Sequence, residues 1–202
     1  MQLHVALPEP TEIVVRNGGR FSDKAYLKFC EANPDLRVER NAEGEIIIVP
    51  PAGLESDDRN AEVVAQLRIW AKKDGRGRAS GPTAQFFLPD GSALSPDAAW
   101  VSNESGKRMS ERERKGFPYV CPEFVIEVLS PSDRLKKTQQ KMERWIANGA
   151  QLAWLIDGDA ETVYIYQKDK PVEIRRGIVR LAGKGPVKGF TLQLRTIWDG
   201  LK

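Results

Sequence analysis

The chain has 202 residues, of which 41% are hydrophobic and 29% charged, so it is long enough for one domain with a hydrophobic core. One histidine, His4, and two widely spaced cysteines argue against a Ser-His-Asp triad, a histidine-rich zinc site and a disulfide framework. The formal net charge of +3 permits a nucleic-acid partner without identifying one. The sequence has neither an apolar run long enough to span a membrane nor a signal-peptide pattern, so a cytoplasmic location is expected.

The first half of the chain begins with residues 1–20, which are expected to form an arm or an edge strand. A single domain is expected over residues 21–202. Its first elements are a short helix over residues 21–32 and a hairpin over residues 37–50, whose two apolar runs flank a polar turn.

The clearest helix covers residues 57–73, where Val63, Leu67 and Ala71 recur at the spacing of one apolar face. Asn60 falls on the inward side of this helix, either as a locally bonded end residue or as a polar group aimed at a site. Arg59 and Glu62 are expected on the outward face.

The second half of the chain contains strands over residues 83–88 and 95–101, which are expected to be adjacent and antiparallel, followed by a charged helix or loop. A strand at 124–129, a helix at 134–148 capped by Ser132 or Asp133, and a strand at 152–157 have the length of a right-handed crossover between parallel strands. Alternating residues over 161–175 indicate a further hairpin. The predicted fold class is therefore α/β, a single domain with a mixed β-sheet flanked by helices and extra β-hairpins.

The strand at 124–129 carries one charged residue, Glu127, among apolar neighbours. A buried carboxylate costs several kcal/mol unless a cation or a metal ion compensates it. Asp97 opens the strand after Pro96, and Lys141 lies beside the apolar face of the helix that follows Glu127. Each residue has a simple structural explanation: Asp97 as a turn residue, Glu127 as half of a buried ion pair, and Lys141 as a solvated helix lysine.

Together these three residues suit metal-assisted phosphodiester cleavage. Two carboxylates on neighbouring strands can hold a divalent cation, which polarises a phosphate and activates a water molecule. A lysine near them can position that water or stabilise developing negative charge. Asp97, Glu127 and Lys141 are therefore the candidate catalytic residues.

The sequence resembles the PD-(D/E)XK, or restriction-endonuclease-like, nuclease superfamily, and within it the Uma-type family. The resemblance rests on segments that match in order, namely PPAG (50–53), NAEVVAQL (60–67), SPDAAWV (95–101), CPEFVIEVLSPSD (121–133), KMERWIANG (141–149) and LAWLID (152–157). It implies a nuclease fold, Mg²⁺ or Mn²⁺ as cofactor, DNA as partner, and Asp97, Glu127 and the carbonyl of Val128 as metal ligands.

The sequence departs from the superfamily pattern at one position. The superfamily lysine usually lies two residues after the second acid, where this chain has Leu129, and the resemblance places its counterpart on the helix, at Lys141. Asn60 falls where many relatives have a histidine, and Glu62 is the candidate for an additional acid from the first long helix.

Two further points concern partners. Basic residues that could contact phosphates are Arg76, Arg78, Lys107, Arg108, Arg112, Arg114 and Lys115. Exposed edge strands of a mixed sheet make a homodimer plausible. The alternative to a nuclease is a catalytically idle nuclease fold that binds nucleic acid or protein, and a small-molecule hydrolase is a third reading.

Overall fold

The computed structural model describes residues 13–16, 19–131 and 133–201. The strands are β1 (Ile13–Val15), β2 (Val38–Arg40), β3 (Ile46–Ile48), β4 (Gly77–Ser80), β5 (Phe86–Phe87), β6 (Ala93–Leu94), β7 (Ala98–Ser102), β8 (Phe124–Leu129), β9 (Leu152–Asp157), β10 (Thr162–Gln167), β11 (Glu173–Arg176), β12 (Arg180–Ala182) and β13 (Thr191–Gln193). The α-helices are α1 (Asp23–Ala32), α2 (Leu54–Asp74), α3 (Asn103–Arg108), α4 (Glu111–Lys115), α5 (Leu135–Ala147) and α6 (Arg195–Asp199), and a 3₁₀ turn covers Gly185–Val187.

A six-stranded sheet forms the centre of the fold, with the order β11-β10-β9-β8-β7-β4. The predicted crossover is confirmed, because β8 and β9 are parallel neighbours and α5 connects them along the chain. Strand β7 pairs with β8 in antiparallel fashion. Helix α2 packs on one face of this sheet through Val63 and Leu67, and α5 packs on the other through Met142 and Trp145. The expected α/β fold, a mixed sheet flanked by helices, is therefore confirmed.

A smaller sheet, with the order β1-β3-β2-β6-β5, forms the extra hairpin layer. The predicted hairpin over residues 37–50 is present as the β2–β3 pair, and β1 forms the edge of this sheet by pairing with β3. The expectation for residues 1–12 lies outside the described residues. The hairpin β10–β11 is also present, as predicted.

The predicted pairing of residues 83–88 with residues 95–101 is wrong. Phe86–Phe87 instead pairs with Ala93–Leu94 in the smaller sheet, across a turn in which Gly91 has a φ of 83°. The chain then passes Pro96, which has no N–H to continue a ladder, and enters the central sheet as β7. The antiparallel partner of β7 on its outer side is β4, a strand that the sequence analysis did not identify.

Arg59 is buried rather than outward-facing, so that prediction is wrong as well. Helix α2 begins at Leu54, and near its start the guanidinium of Arg59 donates to Glu55 and Asp159, at 2.9 Å each. The turn after β9 brings Gly158 so close that a Cβ there would lie 2.7 Å from the guanidinium carbon. Two carboxylates thus compensate a charge that helical periodicity alone places in water.

Helix α5 begins one turn after the β8 strand, with Arg134 as its N-cap residue and no side-chain capping bond. Asp133 does not cap the helix as predicted; its Oδ2 accepts bonds from the backbone N–H and the hydroxyl of Ser130, at 2.8 Å each. The other predicted cap, Ser132, lies outside the described residues. Among the described residues, no helix has both the length and the apolar character needed to cross a membrane.

Candidate active site

The two candidate carboxylates meet where β7 begins and β8 approaches its end. Ala98 pairs with Ile126, so one step further along the same register Asp97 lies opposite Glu127. Asp97 Oδ2 accepts a 2.8 Å hydrogen bond from the backbone N–H of Val128. That bond fixes the Asp97 side chain beside the β8 strand, at the point where the β7–β8 ladder stops.

Glu127 is only 5% exposed and points to the face of the sheet that α5 covers. Its Oε1 accepts a 3.1 Å hydrogen bond from Trp145 Nε1 and forms an ion pair with Lys141 Nζ at 3.0 Å. Lys141 and Trp145 are four residues apart and share one face of α5. The same helical face therefore supplies both the cation and the neutral donor for this carboxylate.

Lys141 contacts two carboxylates and one backbone carbonyl, which belong to three different segments. Besides Glu127, its Nζ contacts Glu39 Oε1 at 3.0 Å and the carbonyl oxygen of Ser95 at 2.9 Å. Glu39 Oε1 also accepts a 2.9 Å hydrogen bond from the backbone N–H of Ser95. Lys141 is thus not a solvated helix lysine; it lies at the junction between the smaller sheet, β8 and α5.

Glu39 is the site residue that the sequence analysis missed. It belongs to the three-residue strand β2, where a charged residue is expected to face water in a hairpin. Only the docking of the smaller sheet against the start of β7 buries it to 8% exposure. Val38, Glu39 and Arg40 are all buried, but this burial is a property of the structure that the short sequence Val-Glu-Arg does not reveal.

Three carboxylates share one ammonium group, and this excess of negative charge perturbs the site. Burial, together with the charges of Asp97 and Glu39, raises the pKa of Glu127 to about 8, although Lys141 opposes the rise. Burial also raises the pKa of Asp97, against the Val128 N–H and Lys141. Burial lowers the pKa of Lys141, but the three carboxylates outweigh it and raise that pKa above its ordinary value. Lys141 is therefore protonated at neutral pH.

The oxygen atoms of this site are of the chemical type that a hard divalent cation prefers. The described residues contain no group of three or more His, Cys, Asp or Glu side chains that could hold a metal ion. Within the described chain, Oδ1 of Asp97 and Oε2 of Glu127 accept no hydrogen bond. Two carboxylate oxygens without a donor, together with a backbone carbonyl such as that of Val128, are the ligand types that Mg²⁺ and Mn²⁺ prefer.

The supporting candidates from α2 are not brought to this site. Glu62 Oε1 instead accepts bonds from Gln66 at 2.7 Å and Thr196 at 3.3 Å. Asn60 belongs to the helix on the opposite face of the sheet, and its buried Oδ1 has no hydrogen-bond partner among the described residues. Neither side chain contacts Asp97, Glu127 or Lys141.

The basic residues proposed to contact phosphates lie on α3 and α4 or at the start of β4, where Gly77 pairs with Ser102. Helices α3 and α4 follow Ser102, which ends β7 at the opposite end from Asp97. Several of their charges are paired within the helices, including Arg108 with Glu104 and Lys115 with Glu111. The charges of α3 and of the start of β4 therefore lie at the end of β7 away from Asp97.

Comparisons with known proteins identify the family of the chain and support its fold. The profile of the Uma2 family, described as "Putative restriction endonuclease", matches residues 23–195. A solved structure of a "putative nuclease belonging to DUF820" from Anabaena variabilis ATCC 29413 superposes with a TM-score of 0.72 at 22% sequence identity, covering 89% of this chain and 98% of that one. No curated protein gives a significant match. The matched segment contains β2, β7, β8 and α5 in full, and the chain belongs to the Uma2 family of restriction-endonuclease-like proteins.

Proposed function

We propose that this protein is a divalent-metal-dependent endonuclease that hydrolyses DNA phosphodiester bonds. The observation that carries the proposal is the meeting of Asp97 and Glu127, each with one open carboxylate oxygen, beside the protonated Lys141. The family supports a nuclease and, through it, a DNA substrate. We place the action of the protein in the cytoplasm, where DNA is accessible.

Asp97, Glu127 and the carbonyl of Val128 would hold Mg²⁺ or Mn²⁺. The N–H and the C=O of one strand residue point to the same side, so the bond from Val128 N–H to Asp97 directs the Val128 carbonyl towards Asp97 too. When bound, the metal ion supplies polarisation of the phosphate and a lowered pKa for a bound water.

Lys141 has a defined role in this scheme. Because its pKa is raised, it donates hydrogen bonds and positive charge rather than accepting a proton. Its three N–H groups face Glu127, Glu39 and the Ser95 carbonyl in the metal-free protein, so the ammonium group would orient the attacking water after one of these contacts opens, or stabilise through its charge the negative charge that develops on a phosphate oxygen. Glu39 and the Ser95 carbonyl also contact the ammonium group, at 3.0 Å and 2.9 Å, so its position is fixed before substrate binds.

The experiment compares cleavage of plasmid and linear DNA by the wild type, Asp97→Asn and Glu127→Gln, with Mg²⁺ or Mn²⁺ and with a chelator. Each substitution keeps the side-chain volume and removes one anionic ligand, so we expect at least a roughly 100-fold loss of rate. Glu104→Gln, at a carboxylate whose side chain is 80% exposed, is the matched control and should cleave like the wild type. Metal-dependent cleavage at the wild-type rate by both site variants would refute the proposal.

A specific observation favours a second candidate, an idle nuclease fold that binds nucleic acid or protein. The ammonium group of Lys141 contacts both Glu39 and Glu127 at 3.0 Å, so these carboxylates also have a purely structural explanation, as members of a buried ion-pair network. Calorimetric titration separates the two candidates. Binding of Mn²⁺ that disappears in Glu127→Gln supports the nuclease, whereas intact DNA binding without metal binding at millimolar concentration supports the idle fold.

A further inference from the structure

Strand β11 forms one edge of the central sheet and has an open outer side. It is the last strand in the sheet order and pairs with β10. Ile174, in the middle of this strand, is 47% exposed, and Val172 just before it is 41% exposed. At the opposite edge of the sheet, the Arg68 side chain already donates to the Ala79 carbonyl of β4. An apolar edge strand of this kind is a template for pairing with another strand.

The hydrogen-bond pattern shows which backbone groups of β11 point outward. Gly177 N–H donates to the carbonyl of Glu161 at 2.9 Å, so these two residues form a hydrogen-bonded pair. Hydrogen-bonded and non-hydrogen-bonded pairs alternate along an antiparallel ladder. Glu173 and Arg175 therefore bond to β10, and the N–H and C=O groups of Ile174 and Arg176 point away from the sheet. Across the described residues, no partner takes up these outward groups.

The charges on β11 distinguish between the possible registers of a symmetric antiparallel pair. A two-fold axis at Glu173 would bring two glutamates together, and an axis at Arg175 would bring two arginines together. An axis at Ile174 instead places Glu173 of each copy opposite Arg175 of the other. It also places the outward backbone groups of the two Ile174 residues in direct register, and it sets Val172 beside Arg176.

Glu173 and Arg175 form an ion pair with each other within one copy. In the Ile174-centred register, the two pairs would form a closed ring of four alternating charges, since opposed residues of an antiparallel pair lie on the same face. Charges on an edge strand usually prevent association. Here their order along the strand opposes the other two registers and favours this one.

We infer that two copies of this chain associate through β11, antiparallel and centred on Ile174, so that their central sheets become one continuous sheet. The partner is a second copy because the strand is complementary to itself in charge, apolar exposure and backbone pattern. This inference does not depend on nuclease activity. Since one short strand per copy buries less than a standard interface, we expect a dissociation constant of roughly micromolar order.

Sedimentation equilibrium over about 1 to 500 µM protein tests the association directly. The wild type should show a monomer–dimer equilibrium, and Ile174→Pro should remain monomeric. The Ile174 N–H points away from β10, so proline removes both central intermolecular donors and leaves the fold intact. An unchanged melting temperature and circular dichroism spectrum establish that the variant is folded. A monomeric wild type, or a folded Ile174→Pro variant that dimerises like the wild type, overturns the inference.

A charge-swap experiment tests the register. Glu173→Arg alone and Arg175→Glu alone each place like charges opposite one another, so each variant should weaken self-association at least about tenfold. Mixing the two variants restores opposite charges at both positions, and so does the double variant Glu173→Arg/Arg175→Glu. Both should recover a dimer of wild-type affinity. Single variants that self-associate like the wild type, or a mixture that fails to recover the dimer, refute the Ile174-centred pairing.

Discussion

Replacing Glu127 by glutamine should stabilise the metal-free protein while it removes the proposed metal ligand. In the fold the pKa of Glu127 is about 8, against an ordinary value of 4.5. Its contribution to stability is fully present below pH 4.5 and is lost as the pH rises towards 8, because the unfolded chain ionises more readily. At about 1.4 kcal/mol per pKa unit, the upper limit of this loss is about 4 kcal/mol at pH 8 and below about 1 kcal/mol at pH 5.

Glutamine has the shape of the protonated glutamate and still accepts the Trp145 N–H bond, so Glu127→Gln should recover part of that free energy. For a chain of this length, 1 kcal/mol corresponds to about 2–4 °C, so a rise in Tm of several degrees is expected at pH 8. Thermal unfolding in chelator at pH 5 and pH 8 measures it, with the exposed-site variant Glu104→Gln as control. A Tm at pH 8 equal to or below that of the wild type would contradict the reasoning.

Metal binding and core packing give two more predictions. The apparent affinity for Mg²⁺ should fall up to about tenfold for each pH unit below 8, because the cation must displace the proton on Glu127. Calorimetry at pH 6, 7 and 8 measures this affinity. An affinity that stays constant over this range would count against Glu127 as a ligand. Gly77→Ala should cost about 1–3 kcal/mol in urea unfolding, since its Cβ would lie 2.5 Å from the Trp100 ring. Gly106→Ala, which has no atom within 4 Å of the added Cβ, should cost nothing, and equal effects of the two changes would contradict the packing argument.

The elements that the sequence predicts well are those whose pattern is local and long. Helix α2 shows its apolar face from Val63 to Ala71, and β8 and β9 are apolar runs separated by a helix of crossover length. Strand β4, with the sequence GRAS, has no apolar alternation and is a strand only because β7 pairs with it. The partner of β5 could not be chosen from propensity either, since two apolar segments follow it and only Ser95, Pro96 and Asp97 separate them.

The charged residues also differ in how well the sequence predicts their positions. Glu127 is visible in the sequence because a charge inside an apolar strand has a large desolvation cost. Asp97 and Lys141 follow from their positions relative to that strand. Glu39 and Arg59 could not be placed, because their burial depends on partners far along the chain, Lys141 in one case and Asp159 in the other. For charged residues, local periodicity predicts exposure, and tertiary ion pairs override it.

Glu39 and Lys141 are in contact although they lie 102 positions apart in the chain, and this separation affects the order of folding. Closing so long a loop is slow relative to forming local turns, so the smaller sheet meets the α5 lysine late. During synthesis, a chain that has not yet emerged as far as α5 contains Asp97 but lacks Lys141. A ribosome-bound or truncated chain would therefore have no assembled site, and recovery of cleavage during refolding would time the docking of the two sheets.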